Sequence, residues 1–264
     1  MPIHYTRRLT SRLRTPQADR HLGCALAAIA GAINAVGFGI LGHYTSHMTG
    51  MVSTFGERVV ARDMLAALAA ALAIAAFVCG AACCTVMIHH ARRRRLHSQF
   101  ALPLLLESAL ILAVSLAGAA TMGVAVWATI CSLTFAMGLQ NALITKISRG
   151  EIRTTHVTGI VTDLGIECGR GLARIGGFES SGRAKGVASG SRARLLTALL
   201  AAFVAGCIAG TFAVQHAGRL ALLPAGLALA IVALVPAFDD LRRQHAVSGG
   251  LDEGCPEPKD TRAG

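Results

Sequence analysis

The chain has 264 residues, of which 53% are hydrophobic and only 15% charged, with a mean hydropathy of +0.56. A water-soluble domain of this size needs a more polar surface, so the sequence calls for a lipid solvent. The net charge of +11 would suit nucleic acid, but the basic residues lie between long apolar runs with few aromatics among them, which reads as the positive flanks of membrane spans and excludes a nucleic-acid partner.

A helix needs about 20 apolar residues to cross the hydrocarbon core. Residues 1–20 form a basic N-terminal segment, and the first span follows at 22–41. Further spans fall at 64–88, 100–120, 122–144, 195–214 and 220–238. The third and fourth are nearly continuous, and Gly118, Thr121 and Gly123 offer a tight turn between them; the fifth and sixth meet at 215–219. Residues 246–264, rich in Ser, Gly, Pro and charge, read as a disordered tail, as does the stretch 176–191. The first span leads directly into a structured motif, so it reads as retained rather than as a cleaved signal.

Orientation follows from Lys and Arg. Five precede the first span, four follow the second, nine follow the fourth and four follow the sixth, so 22 of the 25 fall on one side and Arg58, Arg62 and Arg219 on the other. The positive-inside rule then places both termini in the cytoplasm of a bacterial inner membrane, in a multi-pass chain whose surroundings are the lipid bilayer.

Two distant connections carry the same words. Thr45-Ser-His-Met-Thr-Gly-Met-Val-Ser-Thr-Phe-Gly56 aligns without gaps to Thr154-Thr-His-Val-Thr-Gly-Ile-Val-Thr-Asp-Leu-Gly165, with six of twelve positions identical. Upstream, Asn34-Ala35 matches Asn141-Ala142 if two residues of slack are allowed. Each copy follows the first span of a half, 21–120 and 121–245. Duplication of an odd number of spans forces the halves into opposite orientations, so the expected fold is an all-α polytopic membrane bundle of six helices built as two inverted three-helix repeats. After the second copy, Val157, Ile160, Val161, Leu164, Cys168, Leu172 and Ile175 recur at helical spacing, with Asp163, Glu167, Arg170 and Arg174 on the opposite stripe.

Ser and Thr suit helix caps, Gly admits a close partner, and a helix N-terminus offers free N–H groups and a positive dipole end. The substrate-binding candidates are therefore Asn34, His47, Thr49, Gly50, Gln140, Asn141, His156, Thr158, Gly159 and Asp163. Glu107, a carboxylate inside a span, is the candidate for proton coupling unless it reaches the interface. Gly50 and Gly159 are expected at close contacts with a neighbouring helix, and His47 and His156 are expected to face one polar cavity between the halves. The same Thr, His and Gly can also serve only as caps and packing surfaces.

Other patterns carry less. Gly37-Phe-Gly-Ile-Leu-Gly42 matches a dinucleotide fingerprint but lacks the strand–helix–strand context it needs, and Gly206-Cys-Ile-Ala-Gly210 marks close helix packing. Cys24, Cys79, Cys83, Cys84, Cys131 and Cys207 lie in apolar runs, where cysteine acts as a small hydrophobe. Neither a metal nor any other cofactor is implied, and no nucleophile set or HExxH pair is present.

Gly31-Ala-Ile-Asn-Ala-Val-Gly37, His47-Met-Thr-Gly50, Phe135-Ala-Met-Gly-Leu-Gln-Asn141 and Thr154-Thr-His-Val-Thr-Gly159 resemble motifs of the YoaK family of bacterial membrane proteins, over roughly residues 22–238. The resemblance implies a six-span membrane protein without an established activity. Family members often carry Asn after the first Thr-Gly, where this chain has Met51 and, in the second copy, Ile160. Duplication and paired polar motifs together favour a small-solute transporter or channel; a homo-oligomer is compatible with this. The alternatives are a membrane-embedded enzyme using His47, His156, Asp163 or Glu107 as acid–base groups, and a non-transporting scaffold or sensor.

Overall fold

A computed structural model describes residues 15–94, 99–117, 124–176, 186–234 and 238, and its regular structure is helical throughout. Helix α1 (Pro16–Leu41) begins where Thr15 Oγ1 accepts from the Ala18 N–H at 3.3 Å with Pro16 in the first turn, and stops at Gly42, whose φ of 70° suits glycine. The short α2 (Met48–Val60) follows, then α3 (Met64–Arg93), capped by Asp63 and closing with His90, Arg92 and Arg93 at its negative dipole end. Next come α4 (Ala101–Leu116), α5 (Val124–Ile147), α6 (Val157–Ile175) and α7 (Gly186–Ala217). A 3-10 turn (Gly218–Leu222), opened by Gly218 at φ 54°, leads into α8 (223–234).

Four stretches are long and apolar enough to cross a membrane: α1, α3, α5 and the continuous run Gly190–Leu234. Two of them stay largely exposed. In α3 only 28% of the most apolar window is inside the protein, and in Gly190–Leu234 only 22%. Leu65, Leu72, Ile208, Phe212, Leu227 and Ile231 point outward. An apolar exterior of this extent belongs to an integral membrane protein. The sequence expectation of six comparable spans is met only coarsely. Helix α4 has 16 residues, roughly 24 Å of helix, and the last two expected spans form one run interrupted only by the 3-10 turn. The expected turn at 118–123, the tail 246–264 and most of the N-terminal segment lie outside the described residues. Within 176–191, residues from Gly186 onward are helical rather than disordered: although Gly and Ser there are as frequent as Ala and Arg, the stretch extends a helix already nucleated by the apolar run.

Two crossings organise the bundle. Helix α1 packs on α7, and α3 packs on α5. At both, small residues bring backbones together. A β-carbon on Gly31 would overlap the Phe203 carbonyl oxygen, on Gly206 that of Ala28, and on Gly210 that of Ala32. Across α3 and α5, Gly80 lies against the Phe135 carbonyl and Gly138 against that of Phe77. Without a hydrophobic drive between helices in lipid, such close van der Waals contact is what holds spans together.

The contacts also fix directions. Gly23 meets Leu199, Gly31 meets Phe203 and Gly39 meets Val214, so α1 and α7 run parallel. Ala73 clusters with Ile130 and Gly80 meets Leu139, so α3 and α5 run parallel. Helix α4 lies antiparallel to α8, with Ser108 Oγ donating to the Gly226 carbonyl at 2.8 Å and Ser115 Oγ to that of Arg219 at 3.1 Å. The chain therefore doubles back at Gly218, and the 45-residue run is two helices rather than one.

Candidate functional site

Each long first helix carries a loop that folds back along it. After Gly42 the chain returns to Asn34, whose Oδ1 accepts from Thr45 Oγ1 at 3.2 Å and from the Ser46 N–H at 3.0 Å. After α5, Gly150 at φ 90° reverses the chain, and Ser148 Oγ accepts from the Ile152 N–H at 2.9 Å. Thr154 Oγ1 then donates to Gln140 Oε1 at 3.2 Å, and Thr155 Oγ1 to Asn141 Oδ1 at 2.9 Å. Thr45 and Thr154 are wholly buried, so a missing acceptor would leave a stranded hydroxyl. These bonds draw the starts of α2 and α6 back along α1 and α5 to the level of Asn34 and Asn141.

The expectation that Ser and Thr cap α2 is corrected here. Thr45 and Ser46 are spent on Asn34, and the N-cap residue is His47, which makes no side-chain cap bond. Helix α6 likewise starts just after His156. The expected role of Gly50 and Gly159 is corrected too. A β-carbon on either would overlap an imidazole three residues earlier, His47 or His156, and not a neighbouring helix. Each glycine is the floor on which its own histidine ring lies.

A cavity of about 920 Å³ opens where the two units meet. Asn34, His47, Thr49, Asn141, His156 and Thr158 all line it, three from each half. The remaining sequence-predicted residues sit elsewhere. Gly159 and Asp163 line an adjoining cavity of about 820 Å³ between α6 and α7, together with Arg20, Glu151 and Arg192. His156, Thr158 and Arg153 border both cavities. Gln140 is buried behind the wall, where its Nε2 donates to Glu107 Oε1 at 2.8 Å. Glu107 is fully buried and does not reach an interface; among the described residues its second oxygen has no hydrogen-bond partner. Asp163 is held by Arg192 at 2.8 Å across α6 and α7.

Sequence reasoning passed over several cavity residues. Lys146 and Arg153 were counted only as topological charges, yet both line the cavity. Phe77 and Phe203 line it from α3 and α7. A signal for these two was present: Ala75-Ala76-Phe77-Val78-Cys79-Gly80 and Ala201-Ala202-Phe203-Val204-Ala205-Gly206 agree at five of six positions. Among the described residues, no three His, Cys, Asp or Glu side chains gather as a metal would require.

No curated protein and no solved structure matches the chain. Residues 22–235, which include both loop units and all the helices of the cavity, match the family described as protein of unknown function (DUF1275), and the chain belongs to that family.

Proposed function

We propose that this protein is a small-solute transporter of the bacterial inner membrane, with its solute site in the cavity between two inverted three-helix halves. The observation that carries the reading is the cavity itself, lined by equivalent residues of both motif copies. Polar backbone and side chains at membrane depth persist where protein or a water-filled space satisfies them, and helix starts at mid-membrane are a recurring way to build a solute site.

The packing supports the duplication. Gly31 meets Phe203 while Gly138 meets Phe77, and Gly206 meets Ala28 while Gly80 meets Phe135. Gly31 and Gly138 each stand three residues before an Asn-Ala pair, and the Phe and Gly partners come from the repeated Ala-Ala-Phe-Val-x-Gly segment. Exchange of the halves therefore converts one crossing into the other, as a two-fold axis requires. Helix directions support six crossings. Since α3 and α5 run parallel, the chain between them must return across the layer, and α4 is the segment that does so despite its length. Helix α8 returns likewise after α7. The three-span unit that results is odd, so its second copy is inverted, and the charge count puts both termini in the cytoplasm. The same reading accommodates the resemblance to the YoaK family.

Purified protein in liposomes tests the reading with labelled neutral, cationic and anionic solutes. Transport is expected for at least one class, reduced at least tenfold by His47→Ala with His156→Ala. Equal flux into protein-free vesicles for every class would overturn it. In intact cells, a cysteine at position 219 should react with an impermeant thiol reagent and one at position 93 should not; the reverse pattern would contradict the orientation.

A further inference from the structure

We infer that the cavity binds a small organic anion, a carboxylate on a compact hydrocarbon body. The inference rests on the cavity being the solute site proposed above, and it names the class of solute.

The charge of the walls carries it. Lys146 on α5 and Arg153 on the second loop both line the cavity, and no carboxylate does among the described residues. Neither cation has an ion-pair partner among those residues: Asp163 is engaged by Arg192, Glu167 by Arg170 and Asp63 by Arg58. Glu107, the carboxyl buried within the bundle, is sealed behind the wall against Gln140. Glu151 and Asp163 line the adjoining cavity, where Arg20, Arg192 and the shared Arg153 accompany them. The starts of α2 and α6 add the positive ends of two helix dipoles, directed at the same space. A cation would meet repulsion from both side chains, whereas an anion supplies the counter-charge that the described residues lining the cavity do not.

The remaining lining fixes the rest of the ligand. Phe77, Val78, Ala81 and Ala82 of α3 and Phe203 of α7 give it an apolar surface, and Thr49 and Thr158 add hydroxyls. A bare inorganic anion would leave that surface unmatched, whereas a carboxylate with a short hydrocarbon body meets both the cations and the apolar surface. The volume falls within the range of ordinary small-molecule sites, about 300–1,000 Å³.

The test uses the full chain in detergent, with lactate, succinate, phenylacetate and octanoate compared with their primary amides and with choline, by calorimetric binding and thermal shift. At least one carboxylate should bind at least tenfold more tightly than its amide. Lys146→Gln or Arg153→Gln should weaken it at least tenfold, and Lys146→Arg should keep most of the affinity. Binding of amide or choline as tight as that of carboxylate, absence of binding by all four carboxylates, or affinity unchanged in both Gln variants would each overturn the inference; the last would reduce the two cations to topological charges. The readout is independent of flux. Carboxylate binding without transport would sink the transporter reading and keep the anion site, and transport of only neutral or cationic solutes would do the reverse.

Discussion

The two loop units carry the same motif but hang on different anchors. In the first half a single amide, Asn34, holds Thr45 and Ser46. In the second half two amides share the task, Gln140 for Thr154 and Asn141 for Thr155, and Gln140 is itself tied to the buried Glu107. The position matching Gln140 in the first half is Ile33. A second contrast lies at the cavity edge. Tyr44 stacks on Phe38 with ring centroids 4.5 Å apart, whereas the matching positions in the second half are Arg153 and Thr145, beside Lys146. What both halves keep is the backbone crossing, the histidine over its glycine and the hydroxyl on its amide. What differs is charge and the depth of the polar network.

The crossings are the shared part, and damage to them should be largest and equal. Gly206→Val and Gly80→Val each drive side-chain atoms into a carbonyl of the facing helix, Ala28 or Phe135. Each should cost about 1–3 kcal/mol or more through overpacking, read as a similar fall in detergent melting temperature. A large fall in one with none in the other would break the equivalence of the halves.

The anchors are the divergent part, and there the halves should differ. Gln140→Leu strands the Thr154 hydroxyl and removes the hydrogen bond that the Glu107 carboxyl accepts from Gln140, while Asn34→Leu strands one hydroxyl and one backbone N–H. Each unsatisfied buried group costs about 1–3 kcal/mol, and a carboxyl more than a hydroxyl. Gln140→Leu should therefore lower the melting temperature further than Asn34→Leu. The opposite order would mean that the Glu107–Gln140–Thr154 chain contributes less than the simpler anchor.

Much of this was legible before any coordinates. Long apolar runs and the 12-residue match specify helices and a repeated motif, because both are local patterns in residue type. The two residues of slack upstream are also explained: the loop after α5 is longer than the loop after α1, while the helices themselves stay in step. The reach of each side chain was not legible. Whether Thr45 caps α2 or returns to Asn34 depends on a reversal set by Gly42, and both outcomes satisfy the hydroxyl. Gly50 looked like a helix contact because glycine marks close approach without naming the approaching group. Lys146 and Arg153 looked like flanking charges because sequence position gives depth along a helix poorly when the following loop dips back. The partner of Glu107 lies 33 residues away on another helix and left no local trace.

The convergence of the two motif copies is tested most directly by a distance. Spin labels on Thr49→Cys and Thr158→Cys, in a variant lacking the native cysteines and reconstituted in lipid, can be measured by pulsed electron paramagnetic resonance. Both positions line the same cavity. The account predicts a principal separation well below the hydrocarbon thickness of ~30 Å. A separation of about 30 Å or more would place the motifs on opposite membrane surfaces and contradict it.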